Sequence, residues 1–380
     1  MANLSVPSKN DRMLAALLVG PMQIDVREVP RPACPEDGLR LRVEACGICG
    51  SDIRAFRGHK RLQGAHTVAG EVLPGFIVGH EIAGVIDEVG PRATGFRTGE
   101  RITVAPSITC GTCDACRRGQ SGVCRSYAAL GWQMPGGFAE YVAVPARLLG
   151  DGSINRIPDG VPSWKACMAE PLACALHGQS DLRVGADDSV LIVGGGPMGS
   201  LNVLLAIQRG ASFVALADPN ECRRVFASKL GAHFTVDPKS PEAPASLLAA
   251  TQGRGFSAVI LAVSSIAPIR EIFTLAPEGR YPLLTQAARV NVFSGLDPGD
   301  TSFTLDARAL LYQGISLVGS VNSTPQHNTE ALELIATGAV KVDPVVTARV
   351  PLAQARDAFK LAMSRPRVHQ KVVVEPGQRG

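Results

Sequence analysis

The run Val190–Gly199, VLIVGGGPMG, restricts the fold more than any other stretch, because an apolar strand pattern stops at three glycines and an apolar helix pattern follows. Gly194 permits the tight turn, Gly196 lets the backbone approach a pyrophosphate, and Gly199 lets the helix pack closely. Pro197 and Met198 open the helix, whose free N–H groups and positive dipole end face the anion. Asp218 stands nineteen residues past Gly199, at the end of the next apolar run, where a ribose-binding acid is expected. A carboxylate there accepts from both ribose hydroxyls and repels a 2′-phosphate, which predicts NAD in preference to NADP. Arg223 and Arg224 follow closely and are read as solvated side chains or as packing over the adenine, in preference to a phosphate clamp.

Around this loop, apolar runs alternate with helical patterns: SVLIVG, Met198 to Gln208, FVALAD, a helix to Leu230, FTV, AVILAV, RVNVFSG and ISLVGS. Gly210 and Gly231 fall where helices should stop. The alternation predicts a doubly wound parallel sheet of about six strands. Residues 13 to about 144 read differently, as short β-rich runs broken by Gly and Pro, and predict a β-barrel-like unit. Helical patterns near Thr329–Thr337 and Leu352–Met363 and a last strand KVVVE exceed a six-stranded unit, so they are expected to return to the first domain. The resulting division is 1–177, 178–318 and 319–380.

At 380 residues, two domains of ordinary size are expected. Lys and Arg total 38 against 34 Asp and Glu, with no long basic run, which argues against nucleic acid as the main partner. No apolar stretch approaches the roughly 20 residues that span a bilayer. The opening MANLSVPSKNDRM lacks the apolar segment of a secretory signal, so a cytoplasmic location is expected.

Cys110, Cys113, Cys116 and Cys124 have the spacing C-x2-C-x2-C-x7-C. Four thiolates close a tetrahedral shell around zinc and leave no open position, which marks a structural site. The ferredoxin pattern that begins alike places its fourth cysteine after three residues, which disfavours an iron–sulfur cluster. A second constellation joins Cys46-Gly-Ile-Cys49-Gly-Ser51-Asp52, Gly79-His80-Glu81 and Glu170-Pro171-Leu172. A thiolate, an imidazole and one carboxylate are three ligands, and the open fourth position suits catalysis.

The motifs GICGSD, GHEIAGVIDEVG, the cysteine lobe, GGFAEYVAVP, AEPLACALHG and LIVGGGPMG, in this order over about residues 13–375, resemble those of the zinc-dependent medium-chain dehydrogenases, nearest the sorbitol (polyol) and threonine dehydrogenase branch. The resemblance implies an α/β protein, with a GroES-like β-barrel catalytic domain and a doubly wound Rossmann domain. It also implies two zinc ions per chain, one catalytic and one structural, with NAD bound in the cleft. Cys49, and not Cys46, is the implied ligand, His80 is the second, and Glu81, Glu170 or water completes the shell. Glu81 otherwise reads as a buried carboxylate that orients another ligand. Ser51 is implied to take the proton of the alcohol.

Many relatives carry a His three residues after that serine; this chain has Arg54, which stays protonated and cannot finish a proton relay. Either water or Glu170 takes the proton, or Arg54 instead binds an anionic group of the cofactor or of a phosphorylated or carboxylated substrate. The segment Gly58–Leu73, longer than the family pattern, reads equally as a lid or as a surface insertion. Asn322 to Thr324 are weaker candidates for contacts to substrate hydroxyls. The expected activity is oxidation of a secondary alcohol (a polyol, cyclitol or sugar derivative) to a ketone. Threonine oxidation is the nearest alternative, and a non-catalytic NAD-responsive zinc protein is the alternative from another class. By analogy with relatives, a homodimer or homotetramer acting on a small molecule is expected.

Overall fold

The computed structural model describes residues 12–58, 66–68, 70–150, 152–296, 299, 301–364 and 370–377. Two sheets dominate it. The first is antiparallel over most of its width and runs in the order Ile154–Arg156, Arg101–Val104, Glu81–Val89, Leu39–Gly47, Lys371–Glu375, Val346–Pro351, with Tyr141–Val144 also paired to Leu39–Gly47. Alternating residues of Leu39–Gly47 point into a core with Phe56, Phe138 and Phe359. The strand Lys371–Glu375 aligns Val373 with Gly47 and Val374 with Cys46, which sets the far end of the sequence beside the GICGSD motif.

The second sheet is parallel and six-stranded, ordered Phe234–Val236, Phe213–Ala217, Ser189–Val193, Phe256–Leu261, Leu284–Val292, Ser316–Gly319. The chain winds outward from Ser189–Val193 in both directions, so the sheet's switch point lies beside that strand. Apolar clusters cover both faces, one around Val259 and Leu284 and the other around Val203 and Ala258. This is the expected α/β architecture.

The helix Ala169–Asp181 joins the halves. Its Leu172 and Leu176 share a cluster with Ala45 and Ala83 of the first sheet, Leu201 and Leu205 of the glycine-loop helix (Pro197–Gln208), and Leu332 of the helix Pro325–Ala336. That last helix begins before the expected Thr329, because Thr324 caps it, accepting from the His327 N–H at 3.3 Å, and Pro325 fills its first turn. The strand Val346–Pro351 has no counterpart in the sequence reading. Its residues are mostly half-buried and it ends in proline, as an edge strand does, so it lacks the continuous apolar run that made KVVVE legible. No helix among the described residues is long and apolar enough to cross a membrane.

Candidate active site

Three donor atoms from distant stretches converge: the Cys49 thiol, a His80 ring nitrogen and a Glu81 carboxylate oxygen lie within 4.8 Å of one another. Cys49 opens the helix Gly50–Phe56, and its own N–H donates to Asp52 Oδ2 at 2.9 Å. The other oxygen of Asp52 accepts from the Gly79 N–H at 3.3 Å and faces His80 Nδ1 at 3.6 Å. One buried carboxylate thus ties the cysteine's turn to the histidine's and leaves the second ring nitrogen for a ligand. Burial works against a charge on His80, but Asp52 and Cys49 outweigh it and hold its pKa well above the ordinary value. A metal would take the place of that proton.

Glu81 is fully buried and engaged by Lys371, whose Nζ lies 2.5 Å from Oε1 and 2.8 Å from Oε2. The same ammonium donates to the Ile48 carbonyl at 3.2 Å. Gly47 is required beside it, since a Cβ there would lie 1.8 Å from Glu81 Oε2. Glu170 lies outside the three-atom group, on the helix Ala169–Asp181. Burial raises its carboxyl above the usual range, and the Cys174 thiol donates to its Oε1 at 3.5 Å. Ser51 is buried, and its hydroxyl has no hydrogen-bond partner among the described residues. Cys46 is buried in the core, its thiol pushed well up by burial and by Asp52.

Asp52, Lys371, Trp132 and Tyr127 were not assigned roles from the sequence. Trp132 stands edge-on to His80 with ring centroids 6.4 Å apart, an apolar wall for the pocket. The Tyr127 hydroxyl meets Ser107 Oγ at 3.1 Å, and burial raises its pKa. The spacing Cys49-x-x-Asp52 is a capping-box signal and could have revealed Asp52. Nothing local announces Lys371 beyond a lysine opening an apolar strand.

The four-cysteine lobe fits a single ion. Sulfur separations are 3.5 Å for Cys110–Cys124, 3.6 Å for Cys113–Cys116, and 4.0 Å for Cys110–Cys116 and Cys113–Cys124. A zinc–sulfur bond of about 2.3 Å in a tetrahedron implies edges of roughly 3.8 Å. Backbone N–H groups of Thr112 and Cys113 stabilise the Cys110 thiolate and bring its pKa down to about 5. The S, N and O donors of Cys49, His80 and Glu81 likewise suit zinc.

At the glycine loop, Gly194 has φ +101°, and a Cβ on Gly199 would come 1.8 Å from the Gly194 carbonyl oxygen. Asp218 Oδ2 accepts from the Gly195 N–H at 2.7 Å and Oδ1 from the Asn220 N–H at 2.7 Å. Arg223, read as solvated or as packing over the adenine, is turned inward. With 14% of its side chain exposed, it lies against Gly195 and Gly196 and pairs with Asp218 at 3.4 Å, drawn in by that buried carboxylate. Pro197 and Met198 begin the helix as expected.

The hydroxyl and amide groups of Asn322–Thr324 are already engaged: Asn322 Nδ2 donates to the Gly122 carbonyl at 3.2 Å, Ser323 Oγ accepts from Asn328 at 2.8 Å, and Thr324 caps its helix. Of the extra segment Gly58–Leu73, residues 59–65 and 69 lie outside the described residues, so the lid reading does too. The hairpin His66–Val68 with Glu71–Leu73 is described.

Residues 35–153 match the alcohol dehydrogenase GroES-like domain, and residues 197–337 match the zinc-binding dehydrogenase domain. The L-threonine 3-dehydrogenase of Pyrococcus furiosus is 31% identical over 328 residues, covering 84% of this chain and 85% of that protein. The 2-dehydro-3-deoxy-L-galactonate 5-dehydrogenase of Pseudoalteromonas atlantica is 29% identical, covering 91% and 94%. A zinc-binding dehydrogenase from Sinorhizobium meliloti 1021, solved with NADP, superposes with a TM-score of 0.84 at 30% identity, covering 96% of this chain and 99% of that one. A nucleotide-binding parallel sheet, two zinc-type donor sets and relatives matching along nearly the whole chain agree, and the chain belongs to the zinc-dependent medium-chain dehydrogenase family.

Proposed function

We propose that the chain oxidises a secondary alcohol of a polyol, cyclitol or sugar derivative to the ketone, with NAD as hydride acceptor. The observation that carries the reading is the convergence of Cys49, His80 and Glu81 within 4.8 Å, with the Ser51 hydroxyl, unpartnered among the described residues, two residues from Cys49. When bound, zinc supplies the Lewis acidity that brings an alcohol's pKa toward neutrality, and the nicotinamide accepts the hydride.

The chain's residues do the rest. Cys49 and His80 hold the metal, and Asp52 fixes the imidazole from behind. Lys371 holds Glu81 turned toward the protein, so that Glu81 would enter the shell only by leaving the ammonium. Glu170 then stands as the other carboxylate for that position, in a setting that favours its neutral form. Ser51 takes the alcohol's proton, while Trp132 excludes water from one side. Arg54, always charged, cannot be the final acceptor.

Asp218 supports NAD over NADP because its oxygens already point into the glycine loop. The pairing of Lys371–Glu375 with Leu39–Gly47 supports a catalytic unit of 1–177 plus 319–380, with 178–318 as the nucleotide unit. Leu311 and Tyr312, 72% and 71% exposed, flank the edge strand Ser316–Gly319 and support a homodimer or homotetramer. Ten unpaired cysteines support a cytoplasmic location. Threonine oxidation is the second reading, carried by the 31% identity to the Pyrococcus enzyme.

The test is NADH formation by the zinc-loaded protein over polyols, cyclitols, sugar phosphates and threonine, together with metal analysis. Two zinc ions per chain are expected, one lost in Cys49→Ser with turnover and the other in Cys113→Ser. Full turnover by Cys49→Ser would overturn the assignment.

A further inference from the structure

We propose that Arg54 is an anion receptor for the substrate, so that the preferred alcohol carries a phosphate or carboxylate group; this rests on the dehydrogenase reading above. Arg54 lies on the helix Gly50–Phe56, one turn past Ser51 and on the same face. Its guanidinium leaves the first sheet's domain altogether. Nη1 donates to the Gly295 carbonyl at 3.3 Å, 241 residues away. Gly295 has no side chain to obstruct it: a Cβ there would lie 2.9 Å from Nη2.

Gly295 follows the strand Leu284–Val292, at the carboxyl edge of the parallel sheet that also carries Gly194. Ligands of such sheets bind outside that edge. Arg54 therefore bridges the helix opened by Cys49 and the carboxyl edge of the nucleotide sheet, and an alcohol held between the metal site and a cofactor at that edge would come within its reach.

Arg31 and Arg40 share Asp87, Arg289 pairs with Asp188 and Arg223 with Asp218, but among the described residues no carboxylate meets Arg54. A half-buried guanidinium with one long bond to a carbonyl has most of its planar fork free, and that fork matches a carboxylate or phosphate with two parallel hydrogen bonds. The cofactor's pyrophosphate is provided for elsewhere, by the N-terminus of Pro197–Gln208 with Arg223 against Gly195 and Gly196. The free fork thus falls to the substrate.

The test uses the zinc-loaded enzyme with NAD and paired probes that differ only in charge: galactitol against galactitol 1-phosphate, arabitol against arabitol 1-phosphate, and galactitol against galactonate. At least one anionic member should exceed its neutral partner in kcat/KM by tenfold or more, and the phosphate and carboxylate arms separate the two anions. In Arg54→Gln that ratio should fall about 10- to 100-fold, through the substrate KM, with partial recovery in Arg54→Lys. A neutral member equal or superior in every pair overturns the inference while leaving the dehydrogenase reading intact. An Arg54→Gln loss confined to the KM for NAD, with the ratio unchanged, also overturns it. Absence of NADH from every probe overturns both.

Discussion

Lys371 and Glu81, 290 residues apart, form a fully buried ion pair in which one ammonium nitrogen reaches both carboxylate oxygens, at 2.5 and 2.8 Å. Burial opposes the charge on Lys371, but Glu81 outweighs it and the lysine's pKa is raised. Removing one partner strands the other's charge away from water. Lys371→Met should therefore destabilise the zinc-loaded chain by about 3–5 kcal/mol, whereas Lys371→Met with Glu81→Leu should lose much less. Denaturant unfolding of the two single variants and the double variant checks this, and strictly additive losses would show that the pair is not coupled.

Asp52 acts on the metal through His80. Asp52→Ala should weaken zinc at the Cys49 pocket by about 10- to 100-fold and leave the four-cysteine lobe loaded. Chelator competition with metal analysis measures both sites, and equal retention at the pocket would remove Asp52 from the metal's support.

Stability should depend on pH through His327. Burial first, and then the neighbouring charge of His177, bring its pKa down to about 4, while an unfolded histidine titrates near 6.5. As pH falls between those values, the unfolded chain binds a proton that the folded chain refuses, so stability declines from about pH 6.5 and levels off below about 4. His327→Gln should lose that part of the decline. Unfolding midpoints at pH 7 and pH 5 compare the two proteins; identical slopes would assign the dependence to other groups.

The cofactor preference should follow Asp218. Asp218→Ala is expected to weaken NADH binding about tenfold or more and to narrow the preference over NADPH, because Arg223 is then released from its partner and free to meet a 2′-phosphate. Fluorescence titration with each nucleotide tests it. A ratio that does not move would show that selection lies elsewhere.

The parts of this site that were legible in the sequence are those set by short-range geometry. Cys110 to Cys124 must lie close because few residues separate them, and Gly194 to Gly199 must turn because nothing bulkier fits against the Gly194 carbonyl. Lys371 was illegible as a site residue because its role comes from a strand pairing that no local pattern specifies. The partner of Arg223 was illegible for a related reason: only the fold shows the buried carboxylate beside it. Arg54 stood out in the sequence as a departure from the family pattern, but its reach to Gly295 depends on how the two halves meet.

Because Lys371 arrives so late, the ribosome releases Cys49, His80 and Glu81 long before the ammonium that neutralises Glu81 exists. Until the strand Lys371–Glu375 inserts beside Leu39–Gly47, the nascent barrel has an open sheet edge and a carboxylate with no counter-ion in its interior. Closure of the pocket thus waits for the strand Lys371–Glu375, which serves as the bolt that commits the first half of the chain to its final shape.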